Sequence, residues 1–259
     1  MLHETVYEQF QGALGEELRV KIGDKDTRGA KAIRGLMGHI ARLHERGLLN
    51  LDRNSLPAPE QLVEVRRLHP DQRKGLVEAG FNFSMDALAV SVGELYADNT
   101  LRPLFGYVND SEQMRAVVPV AREVAVNPDL NPDRRQAVFL PGSFNLSFDD
   151  QQGELDKFVQ KLRKSNLKTG TLEGVDFAMD HASVLVQLDF ESQRRGRKLI
   201  FGGWGRSIDE TSVDPEFGPH LADVGRYFTD LQLHVPVLKA RDGHPSVGIV
   251  PVASAAGNR

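Results

Sequence analysis

Cysteine is absent from this chain. Its absence excludes disulfides, thiolate nucleophiles, Cys-ligated zinc and iron–sulfur clusters together. Long apolar runs are missing too. The longest weakly apolar stretch, Met85–Ala97, is interrupted by Asp86 and Glu94, far short of the roughly 20 apolar residues a membrane helix needs. Met1–Val6 shows no basic segment followed by an apolar run, so no signal peptide is expected. No charge sign dominates: 32 Lys+Arg stand against 36 Asp+Glu, a formal charge of −4. That balance leaves no chain-wide basic footprint for nucleic acid or an anionic membrane. Internal repeats, low-complexity tracts and lipidation signatures are also lacking. Together these absences give the expectation of a soluble, cytoplasmic protein with no membrane partner.

What is present is enough to build a core. The chain has 259 residues, of which 40% are hydrophobic, sufficient for one large domain or two modest ones. Thr27–Arg46 repeats Ile33, Leu36, Met37, Ile40 and Leu43 at helical spacing before Gly47. Pro59 and Pro70 suit the first turns of two further helices, the latter closed by Gly80. A fourth is expected from Ser84 as N-cap to about Ala97.

Beyond Thr100 the apolar period shifts towards two. Phe144, Leu146 and Phe148 alternate with polar residues, as do Val184, Val186, Leu188 and Phe190. The latter run, with Lys198–Phe201, predicts a hairpin whose tip is Glu191–Arg197. A second hairpin is expected between Leu233–Leu238 and Val247–Val252. Val117–Val126 reads as an edge or broken strand because of Pro119. Two helices, Asp149–Lys164 and Pro219–Leu231, interrupt this half. The predicted class is α+β: an N-terminal helical region, 1–100, packed on or beside a mostly antiparallel C-terminal sheet with two helices, 101–259, as one domain or two.

Few motifs carry chemistry. Arg194, Arg195, Arg197 and Lys198 form the densest charge in the chain and are anion-binding candidates, because guanidinium forks pair with phosphates. A second basic face lies on the Arg28–Arg46 helix. Gly202–Ser207 matches neither a P-loop nor a dinucleotide fingerprint, yet it places Trp204 and Arg206 as ligand-binding candidates. Asp129-x-Asn131-x-Asp133 opens like a calcium loop but has Arg134 where glycine is needed and Leu140 where the final carboxylate is needed. No His-Glu zinc motif and no Gly-x-Ser-x-Gly elbow occurs, so no metal and no cofactor are expected. Asp176 and Asp180 flank a turn at His181 and form an acid–base candidate whose catalytic role is unassigned.

Three functional readings follow in order. The first is a non-enzymatic binding or regulatory protein for an unknown protein or small molecule. The second is a polyanion or nucleic-acid binder using the basic hairpin tip. The third is an enzyme with an unrecognised Asp/His site.

Overall fold

The computed structural model describes residues 65–166, 171–197, 199–200, 203–214, 218–226 and 232–257. Two compact units divide the chain at Leu62/Val63, and the fold below belongs to the second. The helices expected at Thr27–Arg46 and from Pro59 lie outside the described residues, as does Lys198.

The described region is α+β, with two mostly antiparallel sheets. Helix α1, Pro70–Glu78, starts with proline in its first turn and a capping box between His69 and Gln72. It ends on Gly80, whose φ of 89° lets Gly80 N donate to Val77 O and Phe81 N to Leu76 O. Strand β1, Phe83–Ala87, alternates buried and exposed residues. The helix expected from Ser84 therefore begins later, at Ser91, which forms a capping box with Glu94 at the head of α2, Val92–Ala97. The alternation of Phe83, Met85 and Ala87 outweighed the weaker cap signal at Ser84.

Strand β2, Phe105–Val108, and a single helical turn α3, Glu112–Arg115, lead to β3, Arg122–Val126. Pro119 falls before β3, which lies inside its sheet rather than at an edge. The strand expected around Phe144–Phe148 is absent: Asn145 adopts φ 60°, and Ser147 caps α4, Phe148–Asn166, by accepting from Asp150 N. The helix expected over Asp149–Lys164 is present in α4, with Leu155, Phe158, Val159 and Leu162 along its packed side.

After β4, Val175–Ala178, comes the largest departure. Ala182–Arg194 is a helix, α5, where a hairpin was expected. The apparent alternation ignored Leu185, which is as buried as Val184 and Val186. A helix enclosed on nearly every side loses its amphipathic stripe, and its β-branched residues then mimic a strand. The converse error occurs at Pro219–Leu231, where strand β6, Gly218–Gly225, replaces the expected helix. Leu221 through Arg226 are all buried, so this strand shows no period of two. β6 pairs with β5, Trp204–Asp214, and with β7, Leu233–Val235, and β8, Val237–Lys239. The second expected hairpin is also absent. Val247–Gly248, β9, runs parallel to β5, and Val252–Ala255, β10, crosses to the other sheet.

The first sheet has the order β1-β3-β10-β4 and is wholly antiparallel; the second runs β2-β7-β6-β5-β9. One face of the first sheet packs with α1 and α4 through Phe81, Phe177, Phe158 and Val159. Its other face, through Phe83, Met85, Val124 and Val252, shares a core with α5 and with the second sheet. Helix α5 is thus the layer between two sheets, and its first residue marks where the candidate site begins.

Candidate functional site

The β4–α5 connection brings together groups that sequence order separates. His181 precedes α5 with extended backbone. Its Nδ1 lies 2.6 Å from Asp209 Oδ1, while the other Asp209 oxygen accepts from Ala182 N at 2.7 Å. Both oxygens of this buried carboxylate are therefore used to fix the imidazole and the first turn of α5. Asp209 sits in β5 where the pairing with β6 shifts register between Arg206 and Glu210, an irregularity of the kind that re-aims a strand side chain. With Asp209 holding Nδ1–H, the nitrogen of His181 left for a ligand is Nε2.

Asp180 completes the frame. Its Oδ1 accepts from His181 N at 2.8 Å and from Arg122 Nη2 at 2.5 Å, and its carbonyl accepts from Ile208 N. Around these groups opens a cavity of about 350 Å³, lined among others by Arg66, Arg122, Asp176, Asp180, His181 and Ser254. Asp176 and Ser254 are cross-strand partners on β4 and β10, which places their side chains on one face. Exposed Val120 and Ile208 add apolar surface to the same cavity. Among the described residues, the side chains of Asp176 and Arg66 have no acid or base paired with them.

The electrostatics favour a charged imidazole. The hydrogen bond to Asp209 raises the His181 pKa above its ordinary value; burial opposes this, and the negative charges of Asp209 and Asp180 reinforce it. Arg122 pulls the other way. An imidazole so held is fixed in one orientation with its proton-bearing form favoured, as a general acid–base group requires.

The sequence candidates therefore separate. Asp176, Asp180 and His181 meet in one cavity. The signals missed were Asp209, Arg122 and Arg66, none of them near His181 in sequence. A buried Asp209 beside an exposed Ile208 reverses the expectation for a strand, but that reversal is visible only after folding.

The basic run does not form a hairpin tip. Arg194 ends α5, and Gly196, with φ 72°, closes it: Gly196 N donates to Gln193 O and Arg197 N to Ser192 O. Cations here complement the negative end of the helix dipole. Arg194 and Arg195 both bond Glu191, and this holds the Glu191 carboxyl down at about 2, Arg194 first and Arg195 second among the bonding partners. Trp204 is buried, edge-on to the His234 ring at 6.2 Å. Arg206 is enclosed in the second sheet, 3.4 Å from Asp223 Oδ1. In the calcium-like segment Asn131 and Asp133 each accept from a backbone N–H two residues on. Among the described residues no three His, Asp or Glu side chains form a metal-binding group, and no helix is long and apolar enough to cross a membrane.

Comparison of the chain with family models, curated proteins and solved structures gave no match. The functional reading accordingly rests on the cavity itself.

Proposed function

We propose that the protein is an enzyme that moves a proton on a small anionic substrate held in the His181 cavity. The observation that carries this reading is the His181–Asp209 contact at 2.6 Å on the wall of a 350 Å³ cavity, which is within the size range of small-molecule sites. In this reading Nε2 of His181 takes or returns the proton. Asp209 is a positioning residue: it sets the tautomer and offsets the charge of the imidazolium. Asp176 supplies a second carboxylate for the opposite proton transfer. Arg66 meets the substrate's carboxylate or phosphate, since its guanidinium reaches the cavity without a paired acid among the described residues. Arg122 is held by Asp180 and by Val120 O, so it contributes field rather than a free fork.

The test is incubation of the full chain in D₂O with pools of small carboxylates and phosphate monoesters, read by mass spectrometry. Time-dependent deuterium uptake or substrate loss is expected. His181→Asn should reduce that rate about 10²–10⁴-fold while the protein still unfolds cooperatively, at a stability cost no larger than that of Asp209→Asn. Equal rates for the two proteins, or no change in any compound, would remove the proposal and leave a binding protein as the better account.

A further inference from the structure

A larger cavity, of about 750 Å³, lies away from His181 against the side of α5. Its apolar wall comes from Met85 on β1, Leu88, Leu95 on α2, Leu101, Leu104 and Phe190 on α5. Leu88 and Leu104 remain 54% and 41% exposed, so two large apolar side chains face an opening rather than a core. Such convergence marks a binding surface more often than scattered exposed residues do.

The wall is built to hold its shape. Leu88 N donates to Gln187 Oε1 at 2.8 Å, and Gln187 Nε2 donates back to Leu88 O at 3.2 Å. The exposed leucine is thereby fixed to the helix behind it. Phe190 packs edge-on against Phe105, and Phe105 edge-on against Tyr96, at 5.2 and 5.5 Å. These contacts fix the inner ring without closing the mouth.

Charge gathers beside this apolar wall, where Arg194 and Arg195 follow Glu191 at the end of α5. Arg194 takes Glu191 through both Nε and Nη2, and Arg195 shares the same carboxylate through Nε alone. The other acid in the lining, Asp86, is already paired with Arg67. The lining thus holds two guanidinium groups and two carboxylates, one of the carboxylates drawn to Arg67 outside it, and Arg195 is held over the Phe83 ring at 4.7 Å with its terminal nitrogens directed to no acid among the described residues. An apolar cavity beside a guanidinium that keeps its terminal nitrogens free of any acid among the described residues suits a ligand with a tail and an anionic head.

We infer that this cavity binds a free single-chain anionic amphiphile, an alkyl carboxylate, with its chain along Leu88, Leu95, Leu104 and Phe190 and its head at Arg195. This is independent of the proton-transfer reading, because no lining residue is shared with the His181 cavity.

Calorimetry with octanoate, decanoate and dodecanoate, each below its micelle concentration, tests the inference on the full chain. Affinity should rise roughly fourfold per methylene. Arg195→Gln should weaken dodecanoate about tenfold and leave dodecanol within twofold. Leu88→Asp combined with Leu104→Asp changes two exposed positions, so folding should persist, and it should abolish binding of both. Three results overturn the inference: no chain-length dependence, equal affinity for dodecanoate and dodecyltrimethylammonium, or dodecanoate binding that survives the double variant. Loss of a concentration-dependent dimer in that variant, without any dodecanoate binding to wild type, would reassign the face to self-association. Sedimentation with anionic vesicles in place of monomer binding would reassign it to a membrane surface.

Discussion

Strand β5 carries two charged side chains three residues apart, and they live under opposite regimes. Asp209 is buried behind His181, which lines an open cavity, and short bonds to His181 and Ala182 use both of its oxygens. Arg206 faces Asp223 across the β5–β6 ladder inside the second sheet. There the single contact to the carboxylate is 3.4 Å, and Arg206 Nη2 and Asp223 Oδ2 have no hydrogen-bond partner among the described residues. The open cluster is oriented by hydrogen bonds. The enclosed pair is held together by the absence of any alternative, since a charge left alone there has neither water nor a counter-ion. The lesson is that burial alone marks no functional site; fully used bonding around a group that still reaches solvent is the more informative sign.

The largest effect that sharpens this contrast is predicted at the enclosed pair. Asp223→Ala should cost about 3–5 kcal/mol in urea unfolding, because it strands the Arg206 charge. Replacing both residues, Arg206→Met with Asp223→Leu, should restore or exceed wild-type stability; a double variant as weak as the single would break the comparison. The pH dependence comes next. Burial raises the Asp223 pKa to about 7, against the opposing attraction of Arg206. A carboxyl raised on folding stabilises fully below its unfolded value and loses that contribution as pH rises through about 7. Acidifying from pH 8 to pH 5 should therefore shift the urea midpoint upwards by more in wild type than in the double variant, and equal shifts would count against Asp223 as the source.

At the open cluster the expected loss is smaller. Asp209→Asn should cost about 1.5–3 kcal/mol, the range for a hydrogen bond to a charged group, and should lower the His181 titration seen by NMR. The sign follows from the raised His181 pKa. Its stabilisation is complete below pH 6.5 and fades as pH rises through the folded value, so the cost should shrink in alkaline buffer. A cost that grew with pH would be inconsistent with an imidazolium–carboxylate contact. The smallest effect belongs to the end of α5. Gly196→Ala meets no neighbouring atom within 4 Å but must adopt φ 72°, so about 1 kcal/mol is expected from backbone strain alone. That value in thermal melts would show that a left-handed turn, rather than the basic run beside it, closes the helix.

How much was legible in advance varied by element. Helices α1 and α4 were readable because local chemistry wrote their ends and solvent wrote their faces: Pro70 and Gly80 bound the first, and α4 presents exposed charges opposite Leu155, Phe158 and Val159. Helix α5 and strand β6 were exchanged. Each is covered on both sides, so neither displays the polar face from which a period is read. The site divides along the same line. Asp176, Asp180 and His181 are close in sequence and were found together; Asp209, Arg122 and Arg66 come from other strands and loops.

By itself the sequence determined the mixed class, the exclusion of thiol chemistry and the ends of helices that face water, since each depends on residue identity or on contacts a few residues apart. Only tertiary structure decided that Ala182–Arg194 coils, that Gly218–Gly225 extends, and that Asp209 supports His181. Burial removes the polar periodicity that announces an element, and a register shift in β5 is set by its partner strand rather than by its own residues.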